Sequence, residues 1–94
     1  MTDNVNVNAI LAERGKTHGK FVTHAKISQD LKIIIHNSNY AAWELLSDDQ
    51  KEALDMIAHK IARILNGNAD YVDHWADIAG YATLVANRLT SENS

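Results

Sequence analysis

Two consecutive helix-length segments constrain this chain more than anything else in it. The first runs from Lys51 to Leu65, follows Ser47-Asp48-Asp49-Gln50 and is closed by Asn66-Gly67. That opening is a capping box: Ser47 caps the helix, Gln50 reaches back to it, and the aspartates favour the positive helix end. The second starts near Ala69 or Asp70 and continues to about Leu89. Apolar residues recur at helical spacing in both. They are Leu54, Ile57, Ile61, Ile64 and Leu65 in the first, and Tyr71, Trp75, Ile78, Ala82, Val85 and Leu89 in the second.

A third helix is expected over Phe21–His36, where Phe21, Ile27, Leu31, Ile34 and Ile35 form one stripe with His24 and Ser28 inside it. Asn37-Ser38-Asn39 breaks it. Tyr40 to Leu46 is ambiguous, a short lid-like helix being one reading. Near the start, Asn8 can cap a short helix Ala9–Arg14 that Gly15 stops, leaving Gly15 to Lys20 as a polar loop. The expectation is one all-α domain over residues 1–94, a small bundle of three main helices plus a short N-terminal helix. Residues 1–7 and 90–94 are expected to fray.

Composition limits the partners. With no cysteine there is neither a disulfide nor a thiolate metal site, and with no proline nothing interrupts long helices. A core drawn from Ala, Ile and Leu with a single Phe is thin for 94 residues, which points to a homo-oligomer. A net charge of −3 without a Lys/Arg cluster argues against non-specific nucleic-acid binding. The longest apolar run, Ile33-Ile34-Ile35, is far short of a membrane span, and residues 1–6 lack the features of a secretory signal. The chain reads as cytoplasmic.

Opposite the apolar stripes stand charged faces. Glu52, Asp55, His59 and Arg63 follow one another along the first segment; Asp73 and Asp77 lie on the second, beside Gly80, Tyr81 and Leu84. One reading is two solvated faces with ordinary ion pairs. The other is a Mg²⁺ site of Glu52, Asp55, Asp73 and Asp77, because Mg²⁺ takes oxygen ligands and is commonly shared with substrate phosphates. Lys60 and Arg63 would then face phosphate. Lys16, His18 and Lys20 could serve an anionic ligand or simply fill a polar connection, and Tyr81 could stack on a base. Gly15-Lys16-Thr17 lacks the strand and the earlier glycine of a P-loop, and no H-E-x-x-H zinc pattern is present. Gly80 in mid-helix suits a place where another helix or a ligand comes close.

The stretch Glu52-Ala53-Leu54-Asp55 … His59-Lys60-Ile61-Ala62-Arg63-Ile64, then Asp73-His74-Trp75-Ala76-Asp77-Ile78-Ala79-Gly80-Tyr81, resembles small phage-encoded helical domains related to MazG-type all-α nucleotide pyrophosphohydrolases. Glu13-Arg14-Gly15 … Gly19-Lys20-Phe21 is similar to the opening of those phage proteins. The resemblance implies a MazG-like fold, a Mg²⁺ cofactor and a nucleotide ligand in a host cell's cytoplasm. Glu52 and Asp55 fall where the family's first acid set lies, and Asp77 where its second set closes. His74 stands at the remaining Glu position, with Asp73 one residue off, and a third acid on the first helix is missing. The nucleotide-binding candidates are Lys16, His18, Lys20, His59, Lys60, Arg63 and Tyr81. Three functions remain: Mg²⁺-dependent pyrophosphate release, non-catalytic capture of a nucleotide second messenger that counters host defence, or a helical oligomer acting through protein contact. The incomplete acid set favours capture over hydrolysis.

Overall fold

A computed structural model describes residues 2–93, apart from the side chains of residues 2–6, 16, 17 and 93. Among the described residues there are five helices and no strand: α1 Thr2–His18, α2 Phe21–Asn37, α3 Tyr40–Leu45, α4 Asp48–Asn66 and α5 Val72–Asn93. The Ser47–Gln50 capping box forms, the Ser47 amide donating to Gln50 Oε1 at 3.0 Å. The ambiguous segment is the short helix α3, capped where Asn39 Oδ1 accepts from the Ala42 amide at 3.1 Å. Trp43 of α3 stacks on His36 of α2, their ring centroids 4.2 Å apart. The last helix starts later than its sequence suggests. Asn68 takes the Asp70 amide on its side chain at 3.0 Å and the Tyr71 amide on its carbonyl at 3.1 Å, making a turn of those residues.

The N-terminal helix departs most from expectation. Gly15 does not stop it: α1 continues to His18, and what was expected to be a polar loop is its last turn. A helix-interior glycine costs about 1 kcal/mol against alanine, which weakens a helix without ending it. The end falls at Gly19, whose φ of +73° suits glycine alone and whose amide bonds back to the Gly15 carbonyl at 3.1 Å. This turn crosses the C-terminus of α4. Asn66 there donates through Nδ2 to the carbonyls of His18 (2.9 Å) and Lys20 (2.8 Å).

α4 packs against α2 on one side and α5 on the other. The seam is built from small residues: Ala53, Ala58 and Ala62 of α4 are buried, together with the polar His24 and Ser28 of α2 and His74 of α5. The expected core stripes are therefore turned. Leu54 and Leu65 are 39% and 66% exposed, and His74 takes the interior place expected for Trp75, which is 53% exposed. Close helix approach along alanines leaves no room for larger side chains, and the aliphatic residues flank the seam instead. The chain exposes 6671 Å², against about 5,400 Å² for a compact monomer of its 10.4 kDa mass. No helix among the described residues is long and apolar enough to cross a membrane.

The two glycines should answer oppositely to alanine. A Cβ on Gly19 would stand 2.0 Å from the Asn66 backbone oxygen, whereas one on Gly80 meets nothing within 4 Å. Gly19→Ala should cost about 2 kcal/mol or more through left-handed strain and the clash. Gly80→Ala should add up to about 1 kcal/mol by helix propensity if no partner covers it. Urea unfolding of both variants checks the pair.

Candidate functional site

The Gly19 turn brings the end of α1 over the last turns of α4, and two connected hollows result. The larger, about 620 Å³, is lined by Arg14, Lys20 and Arg63, by His18, and by Leu11 and Phe21. Three cations converge there without a carboxylate in its lining. Phe21, 78% exposed, forms an apolar wall beside them. The smaller, about 290 Å³, shares Arg14, His18 and Arg63 and adds Lys60 from α4 with Tyr71, Asp73, His74 and Asp77 from the α5 end.

Each charged group in the smaller hollow is held. Lys60 Nζ stands 2.9 Å from Asp77 Oδ2, and that bond holds the Asp77 carboxyl below its usual range. Asp73 accepts from the Tyr71 hydroxyl, which raises the phenol. The rings of His18, Tyr71 and His74 form a cluster, with His74 centred 4.9 Å from each of the other two. Arg63 is half-buried. Its Nε donates to His59 Nε2 at 3.0 Å, and its Nη atoms make no hydrogen bond to the described residues, which leaves the guanidinium's outer edge toward the hollows. His59 in turn meets His24, Nδ1 to Nε2, at 3.3 Å.

Charged imidazoles beside Arg14, Lys60 and Arg63 would repel them, and three of the rings resist protons. Burial first, and then Arg63, push His18 and His59 down to about 4. His24 is lowered by the same two causes, with a smaller opposing pull from the Ala62 carbonyl. Burial and the nearby Arg14 lower Arg63 itself, while Asp77 partly restores it.

The sequence-derived residues divide. His18, Lys20, Lys60 and Arg63 line the hollows, and His59 supports Arg63 from behind. Lys16 lies outside the described side chains. Tyr81 stands elsewhere, in the α4–α5 groove with Glu52, Asp49 and Arg88. The four acids do not gather at one point. Asp73 and Asp77 share the smaller hollow, Asp55 bonds His36 of α2 at 2.5 Å, and Glu52 stands two helical turns along α4 from Lys60. Among the described residues no three of the His, Asp and Glu side chains are placed to hold one metal ion. Residues three or four apart on one helix do share a side, but Asp55 turns to His36 of α2 and Glu52 lies in the groove beside α5. Arg14 was missed because a helix ending at Gly15 hides that Arg14 and His18 are one turn apart on the same face.

The lowered histidines fix a pH dependence. Between pH 6.5 and about 4 the unfolded chain binds protons at His18 and His59 that the folded chain refuses. Stability contributed by these groups is thus complete above pH 6.5 and is lost as the pH falls through that window. Denaturant midpoints measured across it should fall in the wild type, and fall less steeply in His59→Gln.

Over residues 4–89 the chain matches the family model described as Domain of unknown function (DUF6378). No curated protein and no solved structure matches it. The match takes in α2 to α4 whole, most of α1 and α5, and every residue that lines the two hollows; the chain belongs to the DUF6378 family.

Proposed function

We propose that the chain binds a phosphorylated nucleotide in the paired hollows, with turnover slow or absent. The observation that carries this reading is the larger hollow. Arg14, Lys20 and Arg63 converge on a space of about 620 Å³ that has an apolar wall of Leu11 and Phe21 and no acid in its lining. Guanidinium edges suit phosphate oxygens, and an exposed aromatic ring suits a base. The likeness to MazG-type pyrophosphohydrolases supports the same ligand class. Asp73 and Asp77 are two carboxylates one turn apart beside the cations, a set that fits a Mg²⁺ ion completed by ligand phosphates and water rather than an all-protein cage. Such an ion would neutralise phosphate charge and polarise the phosphoryl group. With Glu52 and Asp55 directed elsewhere, no third carboxylate among the described residues lines that hollow to activate water, which favours capture over hydrolysis.

The reading includes a homo-oligomer. Val72, Trp75 and Leu84 of α5 are 70%, 53% and 67% exposed, and Val7, Ile10 and Leu11 make a half-exposed strip on α1. The surface in excess of a compact monomer exceeds the roughly 800 Å² per partner that a standard interface buries.

Thermal melts with nucleoside triphosphates, with and without Mg²⁺, test the ligand. The wild type should be stabilised, Lys20→Ala should bind about tenfold more weakly for one lost charge-assisted contact, and Asp77→Ala should lose the Mg²⁺-dependent part. An unchanged response in both variants overturns the site. Release of pyrophosphate from a nucleotide panel separates an enzyme from a captor. Light scattering should give a multiple of the monomer mass that Leu84→Glu reduces; a monomer at micromolar concentration overturns the assembly.

A further inference from the structure

Across the His59 ring from Arg63 lies a second polar enclosure that the nucleotide reading leaves unused. It is a cavity of about 100 Å³ between α2 and α4, lined by His24, Ser28, Gln29, Lys32 and His59, with Phe21 at one side. His24, Ser28 and Lys32 succeed one another every four residues and so form one file along α2. His24 and Ser28 are 4% and 3% exposed.

The hydrogen bonds fix which atoms carry protons. Arg63 Nε can only donate, so His59 Nε2 accepts and neutral His59 carries its proton on Nδ1. That proton is directed to His24 Nε2, which places the proton of neutral His24 on Nδ1. The buried Ser28 hydroxyl has no hydrogen-bond partner among the described residues, and buried His24 Nδ1 makes none of good geometry, the Ala62 carbonyl being the one acceptor that pulls on the ring. A buried donor without a partner is unfavourable and rare enough to demand an occupant. The lining offers donors: an imidazole N–H, a hydroxyl, the Lys32 ammonium and the Gln29 amide. No carboxylate faces them.

We propose that this cavity is a binding site for one small tetrahedral oxyanion of the phosphate class, held by His24 Nδ1–H, the Ser28 hydroxyl and Lys32 Nζ. The space is of the size of one such group, and the donor set suits it. The site stands apart from the paired hollows and does not depend on their ligand. His59 separates the two, and its ring nitrogens touch Arg63 on one side and His24 on the other.

The test titrates inorganic phosphate into an Arg14→Ala/Lys20→Ala/Lys60→Ala background, which leaves Arg63 as the single strong base of the neighbouring hollows, and follows the His24 ring nitrogens by ¹⁵N-edited NMR. Saturable shifts at His24 Nδ1 are expected, and Lys32→Ala should weaken the binding about tenfold, the loss of one charge-assisted hydrogen bond. A nucleoside monophosphate in a parallel titration separates the sources: shifts with phosphate alone mean the free ion, shifts with both mean a terminal phosphoryl group. Ser28→Ala guards against a purely structural role. Removing an unpartnered hydroxyl should leave the ligand-free Tm level or higher while weakening phosphate binding. Absence of any His24 shift at millimolar phosphate, or full response retained in both Lys32→Ala and Ser28→Ala, means the cavity holds water only and overturns the proposal.

Discussion

The Asn66 side-chain amide, held between the carbonyls of His18 and Lys20, sets where the end of α1 stands relative to α4. Both carbonyls flank the Gly19 turn; that of Lys20 also accepts the His24 amide at 3.0 Å as the first bond of α2. One residue thus closes α4, closes α1 and fixes the start of α2. Arg14, His18 and Lys20 come from the α1 side of this junction, and Lys60 and Arg63 from the α4 side. The paired hollows exist because a single amide spans the two. A glycine is demanded at position 19 twice over, by its φ of +73° and by the Asn66 backbone oxygen that occupies the place of a side chain. Beyond this junction α1 has few neighbours, and Ile10 and Leu11 remain about half exposed.

The alanine seam of α4 explains much of the remaining geometry. Ala53, Ala58 and Ala62 let α2 and α5 lie close on either side, and close approach puts His24, Ser28 and His74 in the interior. Small side chains bury little apolar area, at about 25 cal/mol per Å², so the seam gains less than a leucine-filled interface would. The flanking aliphatic residues stay on the surface, and a polar interior must satisfy its own hydrogen bonds. At the far end, Arg88 clamps α5 to the start of α4 through Asp49 and the Ser47 hydroxyl, with bonds of 2.7 to 2.8 Å. That network is exposed and adds little stability. Its effect is register: it aligns α5 with α4 so that Asp77 meets Lys60 three turns away.

The sequence made the all-helical class, the α2 and α4 spans and the capping box legible, because apolar periodicity and cap chemistry are local. It also placed His24 and Ser28 inside the stripe of α2, but they are the residues of that stripe that the structure buries, while Phe21 and Ile34 stay exposed. What it concealed depended on neighbours. Gly15 looks like a stop in one dimension, yet the positive φ is needed only where α1 meets Asn66, which is 47 residues later than Gly19. Trp75 ranks above His74 by hydropathy, but the interior at that point is a ring cluster with His18 and Tyr71, and Trp75 instead donates to the Ala69 carbonyl at 2.8 Å. The four acids share helix faces in projection. Asp55 is drawn to His36 by the packing of α2, so a site inferred from spacing along two helices separates once the third is in place.

Charge in this site is held in reserve. Arg14, Lys60 and Arg63 are permanent cations beside His18, His59 and His24, and protonating those histidines would double the positive charge in a small volume. Burial keeps the rings neutral, and Asp73 and Asp77 balance part of the rest. The proposed phosphate ligand would change the terms of that balance. It adds negative charge near Arg63, whose field is the largest charge-related reason that the three rings resist protons. Screening that field favours imidazolium, but His59 and His24 already use their free nitrogens to accept from Arg63 and His59, so charging either one costs an existing hydrogen bond. Burial continues to oppose the charged rings because it is the leading cause of their shift, so the response is graded rather than complete. The arrangement therefore suits the proposed anion without accumulating, in its absence, the self-repulsion that a permanently charged cluster of the same size would carry.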